Sequence, residues 1–283
     1  MKLNIFKIIF KLTKKQPWLE DRSEELEKLI FEDCKTAEEQ ELILELLERF
    51  THVSHKEFSQ LTNSLVEDIV TEPNLTDATT QIVAMTGDNS SDSAQFVLYS
   101  LKPLFEKWKW RQHITVTSFQ KAYREYKKQG GKHSNIILVD EFVGSGKTII
   151  GRVQTLKKLF SDNGIDDISI KVKVIAASSI GIKKAHECNV DLTSFLTIEQ
   201  GISEHYSEGE IAEKLAIMDK LEAILSTSYE SRNLPKFGYG GTESLYTRDD
   251  GNTPNSVFPI FWWPFFSDDT DRETLLIRAM GDA

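Results

Sequence analysis

Between about residues 20 and 72, apolar side chains recur at three- and four-residue steps. Leu26, Leu29 and Ile30 form one set, and Ile43, Leu46, Leu47 and Phe50 another. That period places them on single faces of helices. Thr36 followed by Glu39 is a capping-box pattern, which predicts a helix start there. The pattern changes near residue 78. Gln81 to Met85 is a short apolar run, followed by the polar stretch Thr86 to Ser93 and a helical pattern through Leu101. Ile114 to Val116 is weakly strand-like, whereas Asn135 to Val139 reads as a buried strand that two acids then stop. A glycine loop leads from it into a helix over about Thr148 to Phe160. Ile168 to Ala177 reads as a further strand, Ile182 to Glu187 as a helix, and Ser207 with Glu210 caps another helix through about Ser226.

Strand, loop and helix repeated in this order predict an α/β fold with a parallel sheet and crossover helices. Ligands on such sheets bind at the carboxyl ends of strands, where the loops 86–93 and 140–148 both fall. The expected division is an N-terminal helical region over 1–75, a lid or interaction module, and an α/β domain over 76–283. The domain's last part, 235–283, is an irregular aromatic-rich hood or tail. It contains Phe237 to Gly241, Asp249 to Asn255 and Phe258 to Phe266. Phe261, Trp262 and Trp263 suit a core or oligomer interface. Alternatively, with Asn252 and Asn255, they suit a wall for a flat base.

Composition narrows the picture. With 40% hydrophobic residues the chain of 283 residues can bury a core, and a formal charge of −10 argues against general coating of nucleic acid. Locally the charge reverses: residues 102–132 hold nine Lys or Arg against Glu106 and Glu125. This stretch is a solvated helix face, a pyrophosphate arm from Lys109 or Arg111, or a docking face for an acidic partner or nucleic acid. Cys34 and Cys188, the two cysteines, stand far apart and in no metal-ligand spacing, so a reducing cytoplasm is the expected setting. The start, Met1 to Leu12, superficially resembles a leader. Lys7 and Lys11 interrupt its apolar run and no small-residue cleavage site follows, so an opening strand or amphipathic segment is expected, with no membrane partner.

The chemistry concentrates in Asp140-Glu141-Phe142-Val143-Gly144-Ser145-Gly146-Lys147-Thr148. The glycines let backbone N–H groups converge, the Ser145 and Thr148 hydroxyls add donors, and the helix start adds partial positive charge. Such a hollow suits a phosphate dianion. The adjacent carboxylates suit ribose hydroxyls and a shared Mg²⁺. A triphosphate loop needs glycine five positions before Gly146, where Glu141 stands.

Two acids, two apolar residues, a variable residue, then Ser-Gly-Lys-Thr resembles the diphosphate-sugar signature of type I phosphoribosyltransferases, with Ser145 where threonine is commoner. The resemblance implies a parallel-sheet phosphoribosyltransferase-like core that binds 5-phosphoribosyl diphosphate or a nucleotide with Mg²⁺. Asp140 and Glu141 would act at the ribose and the metal, and Gly144, Ser145, Gly146, Lys147 and Thr148 would cradle the 5′-phosphate. Thr86-Gly87-Asp88 would form the pyrophosphate loop, with Ser90, Ser91 and Ser93 as donors. Asp88 and Asp92 fit there if Mg²⁺ intervenes. The phrase Gly251 to Asn255 leading into Pro259 to Trp262 is similar to the tail of phosphoribosyltransferase-like effectors of bacterial conflict systems, including those encoded with retrons. That branch implies a toxic effector of antiphage defence. Its partner would be a reverse transcriptase with its DNA–RNA product, and a homo-oligomer is also expected. The alternatives are a catalytically inert phosphoribosyl-ligand-binding regulatory module and a P-loop-like nucleotide triphosphatase.

Overall fold

Four elements open the chain. α1 (Lys2–Lys15) is a helix that sets Lys7, Lys11, Lys14 and Lys15 on one side, so the amphipathic expectation for the start holds and the strand does not. α2 (Ser23–Lys28) and α3 (Ala37–Glu48) follow. Thr36 Oγ1 accepts the Glu39 N–H at 3.2 Å while Glu39 Oε2 accepts the Thr36 N–H at 3.1 Å, so the predicted capping box starts α3. Leu42, Ile43, Leu46 and Leu47 form its buried face. β1 (Thr51–Val53) is a short strand that no period in the sequence announced.

Next come α4 (His55–Thr71), β2 (Thr80–Ala84), α5 (Ser93–Lys107), β3 (Ile114–Val116), α6 (Ala122–Lys128) and β4 (Asn135–Val143). α7 (Lys147–Ser161), β5 (Ser169–Ser178), α8 (Ser179–Glu187) and β6 (Asp191–Ile198) continue the alternation. The chain ends with α9 (Glu208–Glu222), the small strands β7 (Ser228–Tyr229) and β8 (Arg232–Asn233), and β9 (Tyr246–Arg248). A second capping box, Ser207 with Glu210, opens α9 as expected. This computed structural model describes residues 2–87 and 92–282, without the side chains of 2–6 and 282.

Residues 55–197 form one compact unit, and 1–54 together with 198–283 form the other. These limits differ from the division at residue 75 because α4 packs on α5 and β5. α4 turns Phe58, Leu65, Val66 and Ile69 inward, and Lys173 of β5 meets Glu72 at 2.7 Å as well as Asp68. In the first unit the sheet order is β3-β2-β4-β5-β6. β2 pairs in parallel with both β3 and β4, and β4 with β5. Ile136 to Val139 are fully buried, as a central strand covered on both faces requires. From β2 the chain crosses to β3 on one side, then returns to β4 on the other. The crevice beyond the carboxyl ends of β2 and β4 is therefore the sheet's topological switch point.

The other unit buries α1, α2 and α3 residues with the tail aromatics in one core. β1 and β9 pair in parallel, Thr51 opposite Tyr246. Trp262 and Trp263 are each 1% exposed, and their indole N–H groups donate to Val257 O and Ser226 Oγ, both at 2.9 Å. These rings are core, and the base-wall alternative loses its exposed faces. Among the described residues, no helix is long and apolar enough to cross a membrane.

Candidate functional site

β4 does not stop at the acids. It continues through Asp140 and Glu141 to Val143, because Phe142 and Val143 still pair with Ala176 and Ala177 of the ten-residue β5. Asp140 is half-buried and Glu141 is 4% exposed. Asp140 Oδ1 accepts the Glu141 N–H at 2.7 Å and the Ser93 hydroxyl at 2.8 Å. Ser93, expected as a donor to pyrophosphate, is thus turned to the acid instead. Burial pushes the Asp140 carboxyl up to about 7; the two hydrogen bonds oppose this, Asp92 adds to it and Arg152 opposes it.

Gly144, Ser145 and Gly146 join β4 to α7. Gly146 has φ of +75°, a left-handed conformation that disfavours any side chain, and a Cβ there would lie 3.0 Å from Gly181 O. Ser178 Oγ donates to Gly144 O at 2.8 Å and accepts the Gly181 N–H at 2.9 Å, which ties the loop to the start of α8. A Cβ on Gly181 would come within 2.1 Å of Gly144 O. Both glycines are needed for this close approach. No side chain caps α7 at Gly146, so its first-turn amides keep their capacity for an anion. Ser145 is buried, while Lys147 and Thr148 are exposed.

On the neighbouring strand, the Met85 N–H donates to Val139 O at 3.1 Å, which sets Thr86 and Gly87 beside Asp140. Thr86 is fully buried, and its hydroxyl donates to Asp92 Oδ1 at 2.6 Å. The same oxygen accepts the Gln95 N–H at 3.0 Å, so Asp92 caps α5. Asp88, Ser90 and Ser91 lie outside the described residues.

Arg152 was missed by sequence reasoning. From α7 its guanidinium lies 5.5 Å from the Phe119 ring centroid, and its Nη2 is 3.1 Å from where a Gly87 Cβ would stand. It brings a fixed positive charge to the loop after β2. Its spacing from Lys147 by about one turn and a half offered the only sequence signal.

Among the described residues, no three His, Cys, Asp or Glu side chains gather as a metal cage. Mg²⁺ does not need one, since it keeps several waters and takes one or two carboxylates plus substrate phosphates. Asp140, whose Oδ1 takes both the Ser93 hydroxyl and the Glu141 N–H, keeps its other carboxyl oxygen as a hard donor of the required kind. The residues fit the ion.

No curated protein matches the chain. Among solved structures, it is similar to a Helicobacter pylori xanthine-guanine-hypoxanthine phosphoribosyltransferase (13% identity, 52% of this chain and 83% of that one, TM-score 0.31). It is also similar to an orotate phosphoribosyltransferase from Aeropyrum pernix (16%, 57% and 76%, 0.31). A hypothetical protein from Neisseria gonorrhoeae with bound ppGpp shares 13% identity over 60% of this chain and 97% of that one, with a TM-score of 0.33. These likenesses are too weak to bear on mechanism. The family model PRTase-CE matches residues 16–278, and the chain therefore belongs to the PRTase-CE family, with a phosphoribosyltransferase-like fold and function.

Proposed function

We propose that the protein binds 5-phosphoribosyl diphosphate with Mg²⁺ at the carboxyl ends of β2 and β4 and transfers the phosphoribosyl group to an acceptor. The observation that carries this reading is a half-buried acid, Asp140, beside an uncapped helix start at Gly146. A carboxylate and an amide hollow side by side match a sugar hydroxyl and a terminal phosphate on one ligand. Asp140 and Glu141 hold the ribose, and Gly144 to Thr148 the 5′-phosphate. The backbone at Thr86 and Gly87, with the Arg152 guanidinium, meets the pyrophosphate.

In the reaction the C1–O bond breaks, and pyrophosphate leaves with the electron pair. The ribose carries oxocarbenium-like charge until a nucleophile bonds to C1 and gives up its proton. Asp140 and Glu141 orient the ring and stabilise its positive charge, while Arg152 and the loop amides face the departing negative charge. Asp140 and Glu141, with Asp92 near, would hold Mg²⁺, and the bound ion would supply charge neutralisation at phosphate oxygens. The tail phrase Gly251 to Asn255 and Pro259 to Trp262 supports a role as the toxic effector of a retron-type antiphage system, restrained by a reverse transcriptase with its DNA–RNA product.

Incubation with phosphoribosyl diphosphate, Mg²⁺ and mixed nucleobases and nucleotides, followed by mass spectrometry, tests this. The expected result is a ribosylated product with pyrophosphate release, lost in the double variant Asp140→Asn, Glu141→Gln. Thermal stabilisation by the ligand without product would replace the enzyme with a binding module. ATP hydrolysis that survives Glu141→Gly would favour the triphosphatase.

A further inference from the structure

The outer face of α5 departs from the acidic character of the chain. Phe96 and Tyr99 are large rings exposed by 48% and 72%. Phe96 and Tyr99 share that face with exposed Lys102 and Lys107, and no Leu, Ile or Val is exposed along the helix. The Lys102 ammonium stands 5.7 Å from the Tyr99 ring centroid. The helix's acid, Glu106, is held by Arg111 at 2.6 Å. Its charge therefore does not oppose an anion.

The face does not end with the helix. Gln95 Nε2 and Lys121 Nζ both donate to Thr117, to its carbonyl at 3.4 Å and its hydroxyl at 3.5 Å. Lys121 thereby extends the positive charge to the loop that follows β3, the sheet's edge strand. From Phe96 to Lys107 the helix rises about 16 Å, at 1.5 Å per residue. Two flat rings at one end of that length and ammonium groups along the rest match a strand that offers both base faces and phosphates.

We propose that this face of α5, with Lys121, binds single-stranded nucleic acid, its bases stacked on Tyr99 and Phe96 and its phosphates on Lys102, Lys107 and Lys121. A protein partner fits less well, because protein interfaces are depleted in Lys and this face carries two. A duplex fits less well, because paired bases do not present their faces to side chains. Single-strand sites combine cationic tracks with stacking platforms and tolerate any sequence. The acidic total charge is no obstacle, since the patch is local. The binding does not depend on phosphoribosyl transfer.

Fluorescence anisotropy of the full chain with labelled thymidine and uridine homopolymers, over a salt series, tests the proposal. Tyr99→Ala is expected to weaken binding by about 5- to 150-fold, the range of one base–aromatic stack. Lys102→Ala should lower the slope of log affinity against log salt by about 0.7, one phosphate of a single strand. Both side chains are exposed, so melting temperature should not move. A duplex and poly-glutamate should each bind at least about tenfold more weakly. The proposal is overturned if neither homopolymer binds, if Tyr99→Ala and Lys102→Ala both leave binding unchanged, or if duplex or poly-glutamate binds as tightly.

Discussion

Ser93 Oγ donates to Asp140 Oδ1 across 2.8 Å, so the first turn of α5 is fastened to an acid on β4. The bond couples the loop after β2 to the strand that follows it in the sheet, and it leaves one carboxyl oxygen of Asp140 to other partners. It does not restore the ordinary acidity of the group: burial dominates and pushes the carboxyl up to about 7.

That displacement sets a pH dependence. Between about pH 4 and 7 the folded protein keeps a proton that the unfolded chain has lost, so stability falls as pH rises through this window. Asp140→Asn removes the effect. It should melt like the parent near pH 4 and be more stable at pH 8, by roughly 1–4 kcal/mol. Arg152 lowers the same carboxyl, so Arg152→Ala should move its titration midpoint upward. Melts across pH and carboxyl-carbon NMR titration measure the two effects. Parallel melting curves for parent and Asp140→Asn at all pH values would contradict the buried-acid account.

The two glycines facing each other across the loop predict a separation of packing from flexibility. Gly181→Ala places a methyl 2.1 Å from the Gly144 carbonyl oxygen, a backbone atom that cannot swing aside. The loop 144–146 must shift, at a cost of about 1–3 kcal/mol. Stabilisation by phosphoribosyl diphosphate should also disappear. Gly151→Ala is the control: it lies inside α7 with nothing within 4 Å of a new Cβ. It should stabilise by about 0.5–1 kcal/mol through the helix alone. Thermal shift with and without ligand compares them, and equal behaviour of the two variants would refute the packing argument.

Legibility tracked the range of the interactions involved. The buried run Ile136 to Val139, the glycines at 144 and 146 and both capping boxes depend on neighbours within a few residues, and the sequence displays those directly. The extension of β4 through Asp140 and Glu141 depends on the length of β5, some thirty residues on, and polar residues at the strand's end concealed it. Arg152 acquires its place only when α7 lies over the loop after β2, so no local period distinguishes it from other helical arginines. The parallel pairing of Thr51 to Val53 with Tyr246 to Arg248 joins three-residue strands at opposite ends of the chain. Strands that short carry too few alternations to register.

Arg272 supplies the strongest stability prediction. It is 6% exposed, and its Nε and Nη2 reach Asp33 Oδ2 at 2.9 and 2.7 Å. The same guanidinium donates to Trp263 O at 3.1 Å and Ile260 O at 2.7 Å. A planar fork thus satisfies one buried carboxylate and two carbonyls of the aromatic segment at once. Arg272→Ala strands all three acceptors and should destabilise by about 3–5 kcal/mol. Arg272→Lys should recover only part of the loss, because a single ammonium cannot reproduce the fork. Arg272→Met with Asp33→Leu should cost less than Arg272→Ala, since no buried charge is then left alone. Urea unfolding followed by tryptophan emission gives the ranking. If Arg272→Ala unfolds at the parent's urea midpoint, Arg272 is not what secures Trp263 in the core.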